Sequence, residues 1–453
     1  MTANKIIISS ILLIASCGSA TALPSDLCLG FPGETHTSVG VYIKSLADDS
    51  VIVSNNAEIA LTPASTMKAL TTATAMSLLG CDFTFQTPVR LEGKRHGKHW
   101  HGDIVIESCG DPTIDSENFA ERGGFCDSIA VALQRCGINH IDGTIVIRES
   151  MPDPGPNDQW EIEDVAWPYG AGLFGLNYKD NTVKLYPITG VMEPFVPNLK
   201  VTLKRGRGNN LKRGVESDNL IVTCRNMKNK KWCINTTMPY PAAVVKYALR
   251  EKLAEYDIAI GGKDITFDND STASTIYSHL SAPSAEIYRS LMHRSDNLFA
   301  EGILHAITPQ CHIDSAITIE KNLWRERGIS DISDMLIYDG SGLTRGNKLA
   351  PKVLGDILEW MAHSCYAENY VSYFPKAGID GTMKSFGSDT PLSGTIALKT
   401  GSVRAVQCYA GYKLDDKGMP THVVVVMVEG FSCQRAKVKK AIEDFLLSTL
   451  YNS

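Results

Sequence analysis

PASTMKAL, Pro63 to Leu70, decides how the chain is read. It places Ser65 three residues ahead of Lys68, at the head of the alanine- and threonine-rich run KALTTATAMSLL. On a helix, positions i and i+3 share a face with Cβ atoms about 5–6 Å apart. A serine hydroxyl is a poor nucleophile until a base takes its proton, and a lysine serves as that base when burial or a neighbouring cation lowers its pKa. The helix N-terminus also favours negative charge near Ser65. The same eight residues fit a plain helix start, with Ser65 as cap and Lys68 in solvent. Either way a helix is expected from about Ser65 to Leu79, with Gly80 as its stop.

Two later stretches bear on the choice. HRSDNLFAE, His293 to Glu301, contains Ser295-Asp296-Asn297, 230 residues after Ser65. Alone it reads as a polar helix start, with Ser295 as cap, Asp296 in the first turn, and Leu298 and Phe299 in the core. ALKTGSVRAV holds Lys399-Thr400-Gly401-Ser402 after the apolar strand GTIAL, 104 residues beyond Ser295. Alone it is a strand running into a turn. As a functional element it sets a lysine and two hydroxyls beside an extended substrate, with Gly401 permitting close approach of the substrate backbone.

The rest of the chain bounds the setting. Its 453 residues are 43% hydrophobic and 21% charged, a globular composition too long for one compact core. A net charge of -6 without a clustered basic excess argues against nucleic acid as partner. Lys5 is followed by IIISSILLIAS and then Ala20-Thr21-Ala22, the pattern of a secretory signal peptide over 1–22. IASC, Ile14 to Cys17, gives an overlapping reading in which Cys17 is lipidated. Export permits disulfides, and of the 12 cysteines Cys126 with Cys136 and Cys224 with Cys233 are candidate local pairs; free buried thiols are the alternative. VGVYIKSLADDSVIVS reads as a hairpin, and helices are expected near Phe119–Cys136, Pro241–Tyr256, Ser284–Arg294, Leu298–Ala306 and within AITIEKNLWRERG and LAPKVLGDILEWMAHS. Strands and a last helix close the chain. The fold class is α+β, with a β-rich stretch between the first and second motifs.

SxxK, S-D-N and K-T-G in this order are the motif set of serine β-lactamases and penicillin-binding proteins. The 230-residue gap is far too long for a simple β-lactamase. It resembles that of the class C low-molecular-mass penicillin-binding proteins, the DacB-type D-alanyl-D-alanine carboxypeptidase/endopeptidase (penicillin-binding protein 4) family. CGDPTID at Cys109–Asp115, WEIEDVAWPYGA at Trp160–Ala171, FGLNYKDNTV, RSDNLFAE, YDGSGLTRGN at Tyr338–Asn347 and IALKTGSVRAVQCYAGY resemble further segments of that family. Ser402 departs from the family's usual threonine but keeps a hydroxyl and a backbone N–H; Arg404 also departs, where small or polar residues are common.

The resemblance implies a transpeptidase-like catalytic domain, an antiparallel sheet flanked by helices, over 23–84 and 274–453. Two inserted domains are implied, II over 85–110 and 181–273, and III nested at 111–180. It implies peptidoglycan stem peptides as substrate, β-lactams as inhibitors, and neither metal nor cofactor. Ser65 is then the nucleophile and Lys68 its base. Ser295 relays the proton to the leaving amine, Asn297 holds Lys68 and the substrate amide, and Lys399, Thr400 and Ser402 bind the terminal carboxylate. The oxyanion donors are the N–H groups of Ser65 and Ser402. Arg345 is a candidate for a carboxylate, and Asp164 for an amine, on the stem-peptide diamino acid. Two rivals are a β-lactamase-like hydrolase and a non-catalytic peptidoglycan-binding protein of the same fold. His96, His99 and His101 in KRHGKHWHG are expected to be a hairpin tip rather than a metal site. LKRGRGNNLKRG and NMKNKKWC are expected to be solvated loops.

Overall fold

The computed structural model describes residues 36–451 apart from 153, 216, 263–271 and 310, so the expected leader and Cys17 lie outside the described residues. Two strands open it, β1 (Ser38–Ser45) and β2 (Val51–Asn55), paired antiparallel across LADDS as the hairpin pattern predicts. A tight turn at Ala64–Thr66 leads into helix α1 (Met67–Leu79), and Gly80 at φ +78 ends it. Every residue from Met67 to Met76 is buried. A helix buried on all sides needs partners for its polar side chains, and Thr71 and Thr74 of α1 find them on neighbouring segments. Thr71 Oγ1 donates to the Gly340 carbonyl at 2.7 Å, while Thr74 Oγ1 lies 2.8 Å from Glu320 Oε2 and accepts from Trp324 Nε1 at 2.8 Å.

The chain then leaves for a second body. The hairpin β3 (Gln86–His96) and β4 (His99–Glu107) is extended by β5 (His140–Ile141) and β6 (Ile145–Arg148), both parallel to β4. Two small sheets follow. One is β7 (Thr182–Tyr186), β8 (Val191–Glu193) and β12 (Ile234–Thr237); the other is β9 (Lys200–Arg205), β10 (Asn210–Lys212) and β11 (Asn219–Cys224). β13 (Ala259–Ile260) and β14 (Thr272–Leu280) complete the first sheet, in the order β13-β5-β4-β3-β14 with β6 on β4. Helices α2 (Phe125–Arg135) and α3 (Pro241–Glu255) share one apolar core with all three sheets, from Val89 through Ile114, Ile129, Leu176 and Val222 to Ile258. Among the described residues, the main apolar side chains of 111–180 join that same core, and β5 and β6 belong to the sheet of β3 and β4.

Two local expectations fail here. The ten described cysteines are all free. Cys126 and Cys136 sit at opposite ends of α2, ten positions apart, which at the helical rise separates them by about 15 Å, beyond the reach of a disulfide. Cys224 ends β11, whereas Cys233 precedes β12 in the other small sheet. LKRGRGNNLKRG is also more than a loop: it forms part of β9 and all of β10, and its Arg213 is buried with Nη2 on Thr237 Oγ1 at 2.8 Å.

The return brings helices α4 (Ser284–Arg294), α5 (Asn297–Ala306), α6 (Ile313–Glu326), α7 (Pro351–Ala362) and α8 (Ala367–Ser372). Strands β15 (Ile396–Val403), β16 (Val406–Leu414) and β17 (Pro420–Glu429) follow, then α9 (Arg435–Tyr451). The main sheet is antiparallel throughout, in the order β15-β16-β17-β1-β2. β17 is apolar at almost every position because both its faces are covered: Val423, Val425 and Met427 pack with α1 and α7, and Val424, Val426 and Val428 with α9. Among the described residues no helix is long and apolar enough to cross a membrane. Truncating Leu70, fully buried in the first turn of α1, should cost about 2–5 kcal/mol; for Leu70→Ala this reads as a lower urea midpoint at an unchanged m-value.

Candidate active site

The head of α1 sits at the centre of the site. Ala64 is held at φ +46, a left-handed conformation a non-glycine residue rarely adopts, directly before Ser65. Ser65 caps nothing: neither the turn nor α1 has a side-chain cap. Lys68 is not solvated but fully buried. Its Nζ donates to Asn297 Oδ1 at 2.6 Å and to the Ser341 carbonyl at 2.6 Å, and lies 3.1 Å from Ser65 Oγ. The first two partners only accept, so they hold two N–H bonds. The third position on nitrogen faces the serine hydroxyl, where the lone pair of the neutral amine can receive its proton.

Burial lowers the Lys68 pKa to about 8 against the opposing pull of Asp339, Glu301 and Asp296. Lys399, also fully buried, is pushed well below an ordinary lysine by desolvation first and by the charge of Lys68 second. Its Nζ donates to Ser295 Oγ at 2.9 Å and to the Thr400 carbonyl at 2.8 Å. The three motifs thus converge as two lysine–serine pairs.

S-D-N is placed differently from its local reading. Ser295 is not the cap of α5; it adopts the left-handed conformation (φ +60) at the end of α4, which turns its hydroxyl toward Lys399. Asp296 is the cap, accepting from Phe299 N at 3.0 Å, and its burial raises its pKa to about 6. Asn297 spends one Nδ2 hydrogen on the Tyr169 carbonyl at 2.7 Å, which leaves one for a substrate amide. Gly401 meets a constraint that sequence reading assigned to substrate: a Cβ there would stand 2.6 Å from the Pro63 carbonyl and 3.0 Å from Ser65 N. The glycine lets β15 press against the head of α1.

Ser65, Ser295 and Asn297 line a cleft of about 460 Å³ that also holds Asp164, Thr400, Ser402, Arg345 and Arg404, with Lys68 and Lys399 buried behind it. Sequence reading missed Tyr169 and Thr382. Tyr169 Oη donates to Asp164 Oδ1 at 2.9 Å, and Thr400 Oγ1 donates to Thr382 Oγ1 at 2.9 Å. Nothing local marks either residue as functional; tertiary packing brings both to the cleft. The loop carrying Asp164 and Tyr169 belongs to the second body and is fastened to YDGSGLTRGN. Trp160 Nε1 donates to Asp339 Oδ2 at 2.9 Å, Thr344 Oγ1 to the Gln159 carbonyl at 2.8 Å, and Asn157 Nδ2 to the Tyr338 carbonyl at 2.8 Å. Asp339 also accepts from Gly342 N, Thr344 N and Asn347 Nδ2, and so shapes the loop that offers the Ser341 carbonyl to Lys68. Glu301 Oε1 accepts from Ser341 N at 2.9 Å, and burial raises its pKa to about 8, with Asp339 adding to the shift.

Two lysine–serine pairs on an antiparallel sheet with a buried central helix define an acyl-transfer serine hydrolase of the penicillin-binding class. The chain belongs to the D-Ala-D-Ala carboxypeptidase 3 (S13) family, whose model matches residues 32–194 and 207–450. It is a serine carboxypeptidase by that membership. It is 24% identical to the D-alanyl-D-alanine carboxypeptidase DacB of Haemophilus influenzae, over 94% of this chain and 93% of that protein. It is also 24% identical to the D-alanyl-D-alanine carboxypeptidase of Actinomadura sp., over 85% and 77%. The fold matches the crystal structure of penicillin binding protein 4 from Haemophilus influenzae with a TM-score of 0.81 at 23% identity, over 94% of this chain and 99% of that one.

If Lys68 acts as the base, penicillin acylation should rise with pH and level off as Lys68 loses its proton near pH 8. Glu301 titrates in the same range, so Glu301→Gln removes the charge that it gains near pH 8 and that holds the Lys68 pKa up, and the midpoint of that profile should move to lower pH. An unmoved midpoint with an unchanged plateau rate would show that Glu301 does not act on the base. In Gly342→Ala the added Cβ would meet the Ala64 carbonyl at 1.9 Å in a residue held at φ +76, and acylation should fall at least tenfold because both Ser65 and the Ser341 carbonyl are displaced.

Proposed function

We propose that this chain removes the terminal D-alanine of peptidoglycan stem peptides, or cleaves their D,D-cross-links, through an acyl-enzyme on Ser65, and that β-lactams trap the same serine. The observation carrying this reading is the buried Lys68 amine, held by two acceptor-only groups and facing Ser65 Oγ. Ser65 Oγ attacks the carbonyl carbon as its proton passes to Lys68 Nζ. The C–N bond then breaks, and the amine leaves with a proton relayed through the Ser295 hydroxyl, which Lys399 orients. Water attacks the resulting ester with Lys68 again as base, freeing Ser65.

The proposed oxyanion donors are the backbone N–H groups of Ser65 and Ser402, which meet charge only as it forms. Lys399, Thr400 and Ser402 are the proposed partners of the terminal carboxylate, and Gly401 the proposed spacer. Arg345 and Asp164, both on the cleft, are proposed to meet the carboxylate and amine of the diamino-acid side chain. Arg404 on the same rim adds a second cation for an anionic substrate. Residues 85–273 are proposed as one inserted body rather than two, because a single core spans them. The leader pattern supports export, with cleavage after Ala22 or lipidation at Cys17 as its two forms.

Purified muropeptides test the reaction. Loss of terminal D-alanine marks carboxypeptidase action and conversion of cross-linked dimers to monomers marks endopeptidase action; neither product from wild-type protein would overturn the proposal. Labelled penicillin should leave a long-lived adduct that disappears in Ser65→Ala, whereas rapid turnover without an adduct would favour a β-lactamase.

A further inference from the structure

KRHGKHWHG, the histidine-rich tip between β3 and β4, plays no part in the cleft. His99 and His101 are two residues apart on β4 and so face the same side of the sheet, while Trp100 between them is buried. β5 runs parallel to β4 with His140 opposite His99 and Ile141 opposite Trp100. Pairing continues one step further, where Asp142 N donates to the Trp100 carbonyl at 3.0 Å. The register therefore puts His99, His101, His140 and Asp142 on one accessible face, above the apolar pair Trp100 and Ile141.

The four side chains already converge. The rings of His99 and His140 stack with centroids 4.7 Å apart. One donor atom each from His99, His140 and Asp142 lie within 4.8 Å of one another. Asp142 Oδ1 is 3.0 Å from His140 Nε2, and Asp142 Oδ2 is 3.0 Å from His101 Nδ1.

We propose that His99, His140 and Asp142 bind a divalent first-row transition ion of the Zn²⁺ or Cu²⁺ type, with His101 orienting the carboxylate. Two imidazoles and one carboxylate suit such ions, whereas Mg²⁺ and Ca²⁺ prefer six or more oxygens. Tetrahedral zinc with bonds of 2.0–2.1 Å needs donor atoms about 3.3 Å apart. Side-chain rotation brings donors now within 4.8 Å to that spacing, since the three residues are exposed or half-buried. The fourth position opens to solvent. His101 is a positioning residue: its bond to one carboxylate oxygen leaves the other for the metal.

The ion would add a side-chain link to the backbone pairing that joins β5 to β4. Because β5 also carries β13 on its other edge, the clamp would tie residues 99, 140 and 259 at one corner of the second body. The site is independent of the chemistry at Ser65.

Tag-free protein titrated with Zn²⁺ by calorimetry should bind one ion at this face and show a raised Tm. Co²⁺ alone should give a visible d–d band of a four-coordinate site. His99→Ala and His140→Ala should each abolish the band and the Tm shift, and His101→Ala should keep the band while weakening binding about 10–100-fold. Labelling of Ser65 by penicillin should persist in all three, which certifies their folding; His99 is exposed, so its variant is the one safest from misfolding. Wild-type protein that shows neither the band nor the Tm shift, or His99→Ala and His140→Ala that bind like wild type, would overturn the proposal.

Discussion

Two lysines buried in one site, Lys68 beside Ser65 and Lys399 beside Ser295, are the constraint on which the rest of the structure depends. Burying a single unpaired charge costs several kcal/mol, and two like charges together cost more. Lys68 and Lys399 are both fully buried, so each must find acceptors and at least one must readily give up its proton. Three of the four acceptors come from far along the chain: Asn297 and the Ser341 carbonyl for Lys68 and Ser295 for Lys399, whose other acceptor is the adjoining Thr400 carbonyl. Three motifs separated by 230 and 104 residues are drawn together because each lysine takes one acceptor from S-D-N, Asn297 for Lys68 and Ser295 for Lys399.

The scaffold follows from that need. α1 runs through the core buried on all sides, so Lys68 projects from a rigid element and not from a frayed end. β15 reaches the head of α1 only because Gly401 has no side chain. Asp339 gathers the loop that presents the Ser341 carbonyl and, through Trp160, anchors a loop from the second body. That loop returns the favour at the site itself, where the Tyr169 carbonyl fixes the orientation of Asn297. The inserted body is therefore part of the catalytic architecture as well as an attachment to it.

Strong local signals were legible in the sequence. The β1–β2 hairpin, the span of α1 and its glycine stop, and most later helices lie where periodicity and punctuation put them. What failed were readings that depend on neighbours distant in sequence. Ser295 looks like a cap by residue type, yet the required left-handed turn gives that role to Asp296. Cys126 and Cys136 look like a local pair by spacing, but the rigid helix between them holds them apart. The β3–β4 hairpin lies where KRHGKHWHG put it, but His140 and Asp142 beside its histidines went unseen, because they arrive through a parallel pairing some forty residues later. Parallel neighbours leave no short-range trace, unlike hairpins.

By itself the sequence determined the class of chemistry: SxxK, S-D-N and K-T-G in this order mark a serine acyl-transfer hydrolase, because few residue types can perform that reaction. It also determined the local elements, since hydrophobic period and turn residues act within a few positions. Tertiary structure alone decided the ionisation of Lys68 and Lys399, because desolvation depends on what surrounds a group and not on what adjoins it in sequence. It alone brought Asp164 and Tyr169 from the inserted body to the cleft, because their position rests on hydrogen bonds to a loop some 180 residues away.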